Sequence, residues 1–139
     1  MAQVAKWFER KFDFSFPVEL YPDLCVRLRG TPARLEELVR GCAGERMVES
    51  AEGKWSAQEH AGHLLNLEPL WLARVEDYVA ARDELSAADL SNRGTFEARF
   101  NERALSEILA AFRRARLALV DRLEEVDTGC SGGRSCIRG

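Results

Sequence analysis

Apolar residues recur at helical spacing over most of the chain. Between residues 104 and 126 they repeat every three or four positions, with arginine and glutamate on the opposite side. The same period runs over residues 56–81 and over two shorter segments, of which the first ends at Gly30 and the second between Gly41 and Gly44. This pattern predicts an all-α protein whose helices, each with one apolar face, pack as an antiparallel bundle.

Local signals indicate where two of these helices begin. Ser56 followed three residues later by Glu59 is a capping-box sequence, because each side chain can bind the backbone amide of the other residue. Thr31 and Pro32 are residue types preferred at an N-cap and at the first helical position. We therefore expect helices that start at these two points.

The last thirteen residues differ in character from the rest. Residues 127–139 include four glycines and almost no apolar side chains. Such a segment has too little apolar surface to form a packed element. The pattern predicts one helical domain over residues 1–126 and a disordered tail over residues 127–139.

Composition narrows the class of protein. The chain has 139 residues, of which 46% are hydrophobic and 31% are charged, and its formal net charge is −3. Because general nucleic-acid binders are basic, this charge argues against a nucleic-acid partner. No run approaches the roughly 18 apolar residues of a membrane span, and the first residues lack a secretory-signal pattern. We therefore expect no membrane partner, reduced cysteines and a cytoplasmic location.

The chain has only two histidines, and both lie in the helix predicted over residues 56–81. His60 and His63 are three residues apart, which places them on neighbouring parts of one helix surface. Histidines on such a helix can hold a metal ion inside a bundle. They can equally be two partly exposed side chains bonded to water or to a nearby carboxylate, and the spacing alone leaves both interpretations open.

Two charged residues fall where apolar ones are expected. Glu68 lies near the centre of the apolar arc of its predicted helix, and Arg116 lies on the apolar side of the last one. A carboxylate buried without a partner would cost several kcal/mol. We therefore hypothesise a Glu68–Arg116 pair or a shared polar cavity. The alternative is that each side chain extends along the helix surface to reach solvent.

The segment GKWSAQEHAGHLLNLE, which ends at Glu68, resembles the DinB-like superfamily. The matching features are the Trp-Ser pair at 55–56, Glu59, His63 with the following leucine, and Glu68. Residues 16–37 are also similar to the first helical region of one branch, and the similarity runs from about residue 6 to 126. The family consists of up-down four-helix bundles that include metal-dependent hydrolases of the YfiT type and thiol-dependent S-transferases.

This resemblance implies a divalent metal, often nickel or zinc, held by three histidines. His63 matches the histidine on the family's second helix. The other two lie on the family's final helix, and here the glycine-rich tail stands in that place. The resemblance thus implies that the fourth helix is missing or replaced by the tail. His60, Glu68 or Glu97 would have to complete the metal site, and no catalytic residue or substrate is identified.

Two functional hypotheses follow from the sequence. The first is a DinB-like protein related to metal-dependent hydrolases or thiol-dependent transferases, acting on an unidentified small molecule with an incomplete or atypical metal site. The second is a non-catalytic bundle, because a three-helix remnant of a four-helix fold would expose an apolar groove that a second copy or a partner could fill. In both cases we expect a homodimer.

Overall fold

The computed structural model describes residues 9–13 and 15–130, with side chains as far as Val126. This part of the chain is helical and contains no strand, so the expected all-α class is confirmed. Short 3₁₀ turns occupy Val18–Leu20 and Phe100–Glu102. The helices are α1 (Tyr21–Arg29), α2 (Thr31–Val39), α3 (Gly44–Val48), α4 (Ala57–Val79), α5 (Arg93–Glu97) and α6 (Leu105–Cys130).

Helices α1 and α2 together form one rod that runs antiparallel to α6. Gly30, between them, keeps nearly helical backbone angles (φ −79°, ψ −9°). At one end of the rod the hydroxyl of Tyr21 donates to the carbonyl of Leu123, and further along Glu36 pairs with Arg113. The N-cap predicted at Thr31 is wrong, because Thr31 is already helical and Gly30 is the residue at the cap.

Helices α4 and α6 run parallel, which corrects the expectation of antiparallel neighbours. Gln58 near the start of α4 bonds to Arg103, and Glu76 near its end pairs with Arg122. The physical reason is the connector over residues 80–104. It runs back along α4, which is about 35 Å long, so that α6 begins beside the start of α4. Helix α5 and the second 3₁₀ turn belong to this connector and pack on α4.

The core lies mainly on the inner side of α6. Ile108, Phe112 and Val120 are completely buried, and Phe100 packs with Ala61 and Ile108. The apolar face predicted for α4 is less complete than expected at its end, because Tyr78 is 73% exposed and Val79 is 50% exposed. The sequence pattern could not reveal this, since periodicity specifies a face but not the length over which a neighbour covers it.

The last helix is longer than predicted. It continues to Cys130 rather than ending at Val126, so the first four residues of the predicted tail are helical. A glycine in a helix costs only about 1 kcal/mol relative to alanine, which the established helix tolerates near its end. The remainder of the predicted tail, residues 131–139, lies outside the described residues. None of the helices in the described ranges is both long and apolar enough to span a lipid bilayer.

Candidate functional site

The start of α4 is held by the predicted capping box, which is confirmed. The hydroxyl oxygen of Ser56 accepts from the backbone amide of Glu59 at 3.0 Å, and the Glu59 carboxylate accepts from the Ser56 amide at 2.7 Å. Ser56 also donates to the side-chain oxygen of Asn101 at 2.6 Å. These bonds fix where the helix begins and tie that end to the chain just before α6.

Gln58 sets the rotation of α4 about its own axis. Its side-chain amide is buried and donates to the carbonyls of Phe100 and Arg103, each at 2.7 Å. Four residues later Gly62 lies against the ring of Phe100 with no room for a side chain. With this side of α4 turned toward the second 3₁₀ turn, His63 comes to face α5.

His63 is bonded to a buried threonine of α5. Its Nδ1 lies 2.9 Å from the hydroxyl of Thr95, which is 3% exposed. The same hydroxyl accepts from the side-chain amide of Asn66 at 3.4 Å. This contact fixes the orientation of the imidazole and leaves Nε2 as the ring nitrogen that has no partner in the described part of the chain.

A cavity of about 220 Å³ lies beside His63, between α4 and the connector. Its lining is partly polar and partly apolar. The polar residues carry imidazole, amide, hydroxyl and carboxylate groups, and the apolar residues are leucine and alanine. The lining residues are His63, Asn66, Leu67, Leu70, Ala87, Asp89, Asn92 and Thr95.

The connector side of this cavity is built by Asp89. Its carboxylate accepts from the backbone amides of Ser91 and Arg93, both at 2.9 Å, and so holds the start of α5. Hydrogen bonding from the Ser91 hydroxyl is the main cause that keeps the pKa of Asp89 below its ordinary value. Asn92 takes the left-handed conformation (φ 56°) that lets the chain turn into α5. Together these contacts hold Thr95 over His63.

His63 is neutral at physiological pH. Burial lowers its pKa below the ordinary 6.5, and the nearby His60 lowers it further. As the pH falls through 6.5, the unfolded chain binds a proton at His63 before the folded chain does. The contribution of His63 to stability is therefore complete above pH 6.5 and is lost as the pH falls through the folded-state pKa. The ring can therefore accept a proton or a hydrogen bond at pH 7.

His60 does not line the cavity. It is exposed, and its ring lies 5.4 Å from that of Trp55, centre to centre. The Trp55 ring also packs on His63 at 4.8 Å and on Phe96 at 5.7 Å. Both histidines thus contact one tryptophan, but only His63 is directed into the protein.

Glu68 and Arg116 meet inside the bundle. Arg116 Nη2 lies 2.6 Å from Glu68 Oε1, and Nε lies 3.0 Å from Oε2, with 8% and 2% of the two side chains exposed. Arg116 Nη1 also lies 3.5 Å from the carbonyl of Leu28. The amide that would normally donate to that carbonyl from four residues later is absent, because residue 32 is proline. One guanidinium thus joins α1, α4 and α6.

The donors among the side chains that the structure describes do not fit a three-ligand metal centre. Both oxygens of Glu68 accept from Arg116, and Glu97 is exposed and paired with Arg93 at 2.6 Å. Nδ1 of His63 is bonded to Thr95, so that ring offers one nitrogen. Among the described side chains no three histidine, cysteine, aspartate or glutamate residues are grouped to hold a metal ion. A catalytic zinc site requires three protein ligands.

Sequence reasoning missed the residues that surround His63. Thr95, Asn92 and Asp89 belong to a connector rich in serine, asparagine and aspartate, which has no hydrophobic period to indicate the helix on which it packs. The one local signal was Asp89-Leu-Ser91, since aspartate often accepts from the amide two residues later. That signal predicts a turn but not the contact with His63.

Comparison with known families identifies the fold. A model of the DinB superfamily matches residues 27–130, which include α2 to α6 and the end of α1. No curated protein and no solved structure gives a match. The match covers most of the chain and all the residues around His63, and the chain is therefore a member of the DinB superfamily.

Proposed function

We propose that this DinB-superfamily protein binds a small molecule in the cavity beside His63. In this proposal it is related to the metal-dependent hydrolases and thiol-dependent transferases of the superfamily but uses a single neutral imidazole in place of a nickel or zinc centre. The observation that carries the proposal is the His63–Thr95 bond of 2.9 Å, which presents a pre-oriented ring to a cavity of about 220 Å³. Such concave sites with a few fixed polar groups are typical of ligand binding.

The size of the cavity limits the ligand. A volume of about 220 Å³ is smaller than the roughly 300–1,000 Å³ typical of sites for drug-sized molecules. The ligand should therefore be a small molecule or one end of a larger one. In a reaction at this site, His63 would act as the general base and accept a proton from the reacting group. General-base catalysis is worth about 10²- to 10⁴-fold in rate.

Alanine at position 63 is expected to abolish binding, whereas alanine at position 60 should not. The two histidines lie on the same helix three residues apart, but only His63 lines the cavity. Saturation-transfer NMR of the full chain with a set of fragments would measure this. His60→Ala serves as the matched control for loss of an imidazole and of the contact with Trp55.

Fragments that bind the unaltered protein and His60→Ala but not His63→Ala would support the proposal. Equal binding by all three proteins, or no binding to the unaltered protein, would contradict it. A circular dichroism spectrum of each variant separates loss of the ligand site from loss of the fold.

A second candidate function is self-association. Large apolar side chains are exposed where α1 begins and α4 ends, and the contacts of Tyr21 with Leu123 and of Glu76 with Arg122 place these ends together. They are Leu20 (42%), Leu24 (36%), Leu72 (37%), Tyr78 (73%) and Val79 (50%). A second copy presents the same surface, so a two-fold interface is self-complementary.

If this surface joins two copies, Tyr78→Ser should raise the dissociation constant of the dimer about tenfold or more, because aromatic residues dominate such interfaces. Sedimentation velocity over a range of concentrations measures this. Leu90→Ser, at an equally exposed position of the connector (76%), is the control. A monomer at every concentration would rule out this candidate.

A further inference from the structure

The polar groups of the His63 cavity restrict the chemistry of its ligand, and this inference rests on the proposed function. Asp89 is the one carboxylate among the lining residues, and His63 is neutral at pH 7. The lining therefore carries negative charge and no formal positive charge. An anion entering the cavity would lose its hydration without gaining a cationic partner.

Two asparagines provide the remaining hydrogen-bonding capacity. The side chain of Asn92 makes no hydrogen bond within the described residues, and that of Asn66 makes only the long contact of 3.4 Å to Thr95. A carboxamide offers both a donor and an acceptor on one planar group. The best complement to two such side chains is another group that also has a donor and an acceptor in one plane.

The rest of the cavity lining is apolar. Leu67, Leu70 and Ala87 belong to it and can cover a small hydrocarbon or aromatic body. A ligand that suits both kinds of lining residue has a polar, planar group and an apolar body.

We infer that the His63 cavity takes an uncharged amide with a small apolar body and discriminates against the carboxylate of the same shape. Asn66 and Asn92 bind the amide, His63 contributes Nε2, and Asp89 disfavours the anion. Asn92 is the residue that determines this specificity, because its side chain makes no hydrogen bond within the described part of the chain.

Benzamide and benzoate test this as a matched pair of probes, since they have nearly the same shape and differ in charge and in hydrogen-bond donors. Their binding to the full chain is followed at pH 7 by two-dimensional NMR of the asparagine side-chain amides. The chain has three asparagines, and Asn101, bonded to Ser56 away from the cavity, is an internal control.

Benzamide should shift the signals of Asn66 and Asn92 but not that of Asn101. Benzoate should bind at least about tenfold more weakly than benzamide. Asn92→Gly should weaken benzamide binding about three- to tenfold, as expected for one neutral hydrogen bond. Glycine is used there because it keeps the left-handed backbone of position 92 without strain.

Benzoate binding as tightly as benzamide at the same two asparagines would overturn this ligand class while leaving the cavity a binding site. Failure of both probes to bind would also overturn it. The proposed function would then be judged separately, by the fragments that do or do not require His63. Benzamide binding that Asn92→Gly leaves unchanged would remove Asn92 from the site.

Discussion

Replacing Arg116 with alanine is expected to lower the free energy of unfolding by about 3–5 kcal/mol. The substitution leaves the Glu68 carboxylate, 2% exposed, without the guanidinium that binds both its oxygens. It also removes a guanidinium donor 3.5 Å from the Leu28 carbonyl, to which Pro32 cannot donate. Urea unfolding followed by circular dichroism measures the change, which is a large fraction of the stability of a domain of this size.

Two controls distinguish the effect of breaking a buried ion pair from the effect of removing any arginine. Arg113→Ala breaks the ion pair between Arg113 and Glu36, whose side chains are 40% and 32% exposed respectively. It should lower the free energy of unfolding by about 1 kcal/mol or less. The double variant Glu68→Leu with Arg116→Met should recover most of the loss, because apolar residues of similar volume can replace a buried pair. A loss at Arg116 no larger than at Arg113 would contradict this account of the core.

Gly62→Ala is expected to destabilise the protein by about 3 kcal/mol, the upper range for overpacking a filled core. A methyl group at this position would lie 2.2 Å from Cγ of Phe100, far inside van der Waals contact. Phe100 is 2% exposed and packs with Ala61 and Ile108, so its ring has little space to move away. The same urea experiment measures the effect.

Gly44→Ala is the matched control for this substitution. A methyl group at Gly44, the first residue of α3, would contact nothing within 4 Å, and the backbone there is not left-handed. It should leave stability unchanged or raise it by up to about 1 kcal/mol, because alanine restricts the unfolded chain. Equal effects at the two glycines would show that helix propensity, rather than the contact with Phe100, decides the result at position 62.

The four longer helices, α1, α2, α4 and α6, could be predicted from the sequence because each depends on local signals, whereas the five-residue helices α3 and α5 were not predicted. The period of apolar residues located α4 and α6, and Ser56 with Glu59 marked the start of α4. The direction of α6 relative to α4 could not be predicted, since it depends on the course of the connector. That course is set by contacts distant in sequence, such as the two bonds from Gln58 to the carbonyls that precede α6.

The residues of the candidate site likewise fall into those that the sequence reveals and those that it does not. His63, Glu68 and Arg116 stand out in the sequence because they are polar residues on or beside the apolar face of a periodic helix. Thr95 and Asn92 do not, because nothing local distinguishes them from other polar residues of a connector. Their role appears only when α5 packs on α4 and the Thr95 hydroxyl meets the imidazole.

Nitrogen NMR of the two imidazole rings tests the central claim most directly, namely that His63 is a neutral, hydrogen-bonded ring beside a cavity and not a ligand of a stable metal centre. In the full chain we predict one fixed tautomer for His63 at pH 7, protonation only below the ordinary pKa of 6.5, and loss of the fixed tautomer in Thr95→Val. One equivalent of zinc, followed by dialysis, should leave the His63 signals in place. Rapid exchange between tautomers, or zinc retained in equimolar amount with a displaced Nε2 signal, would contradict the account.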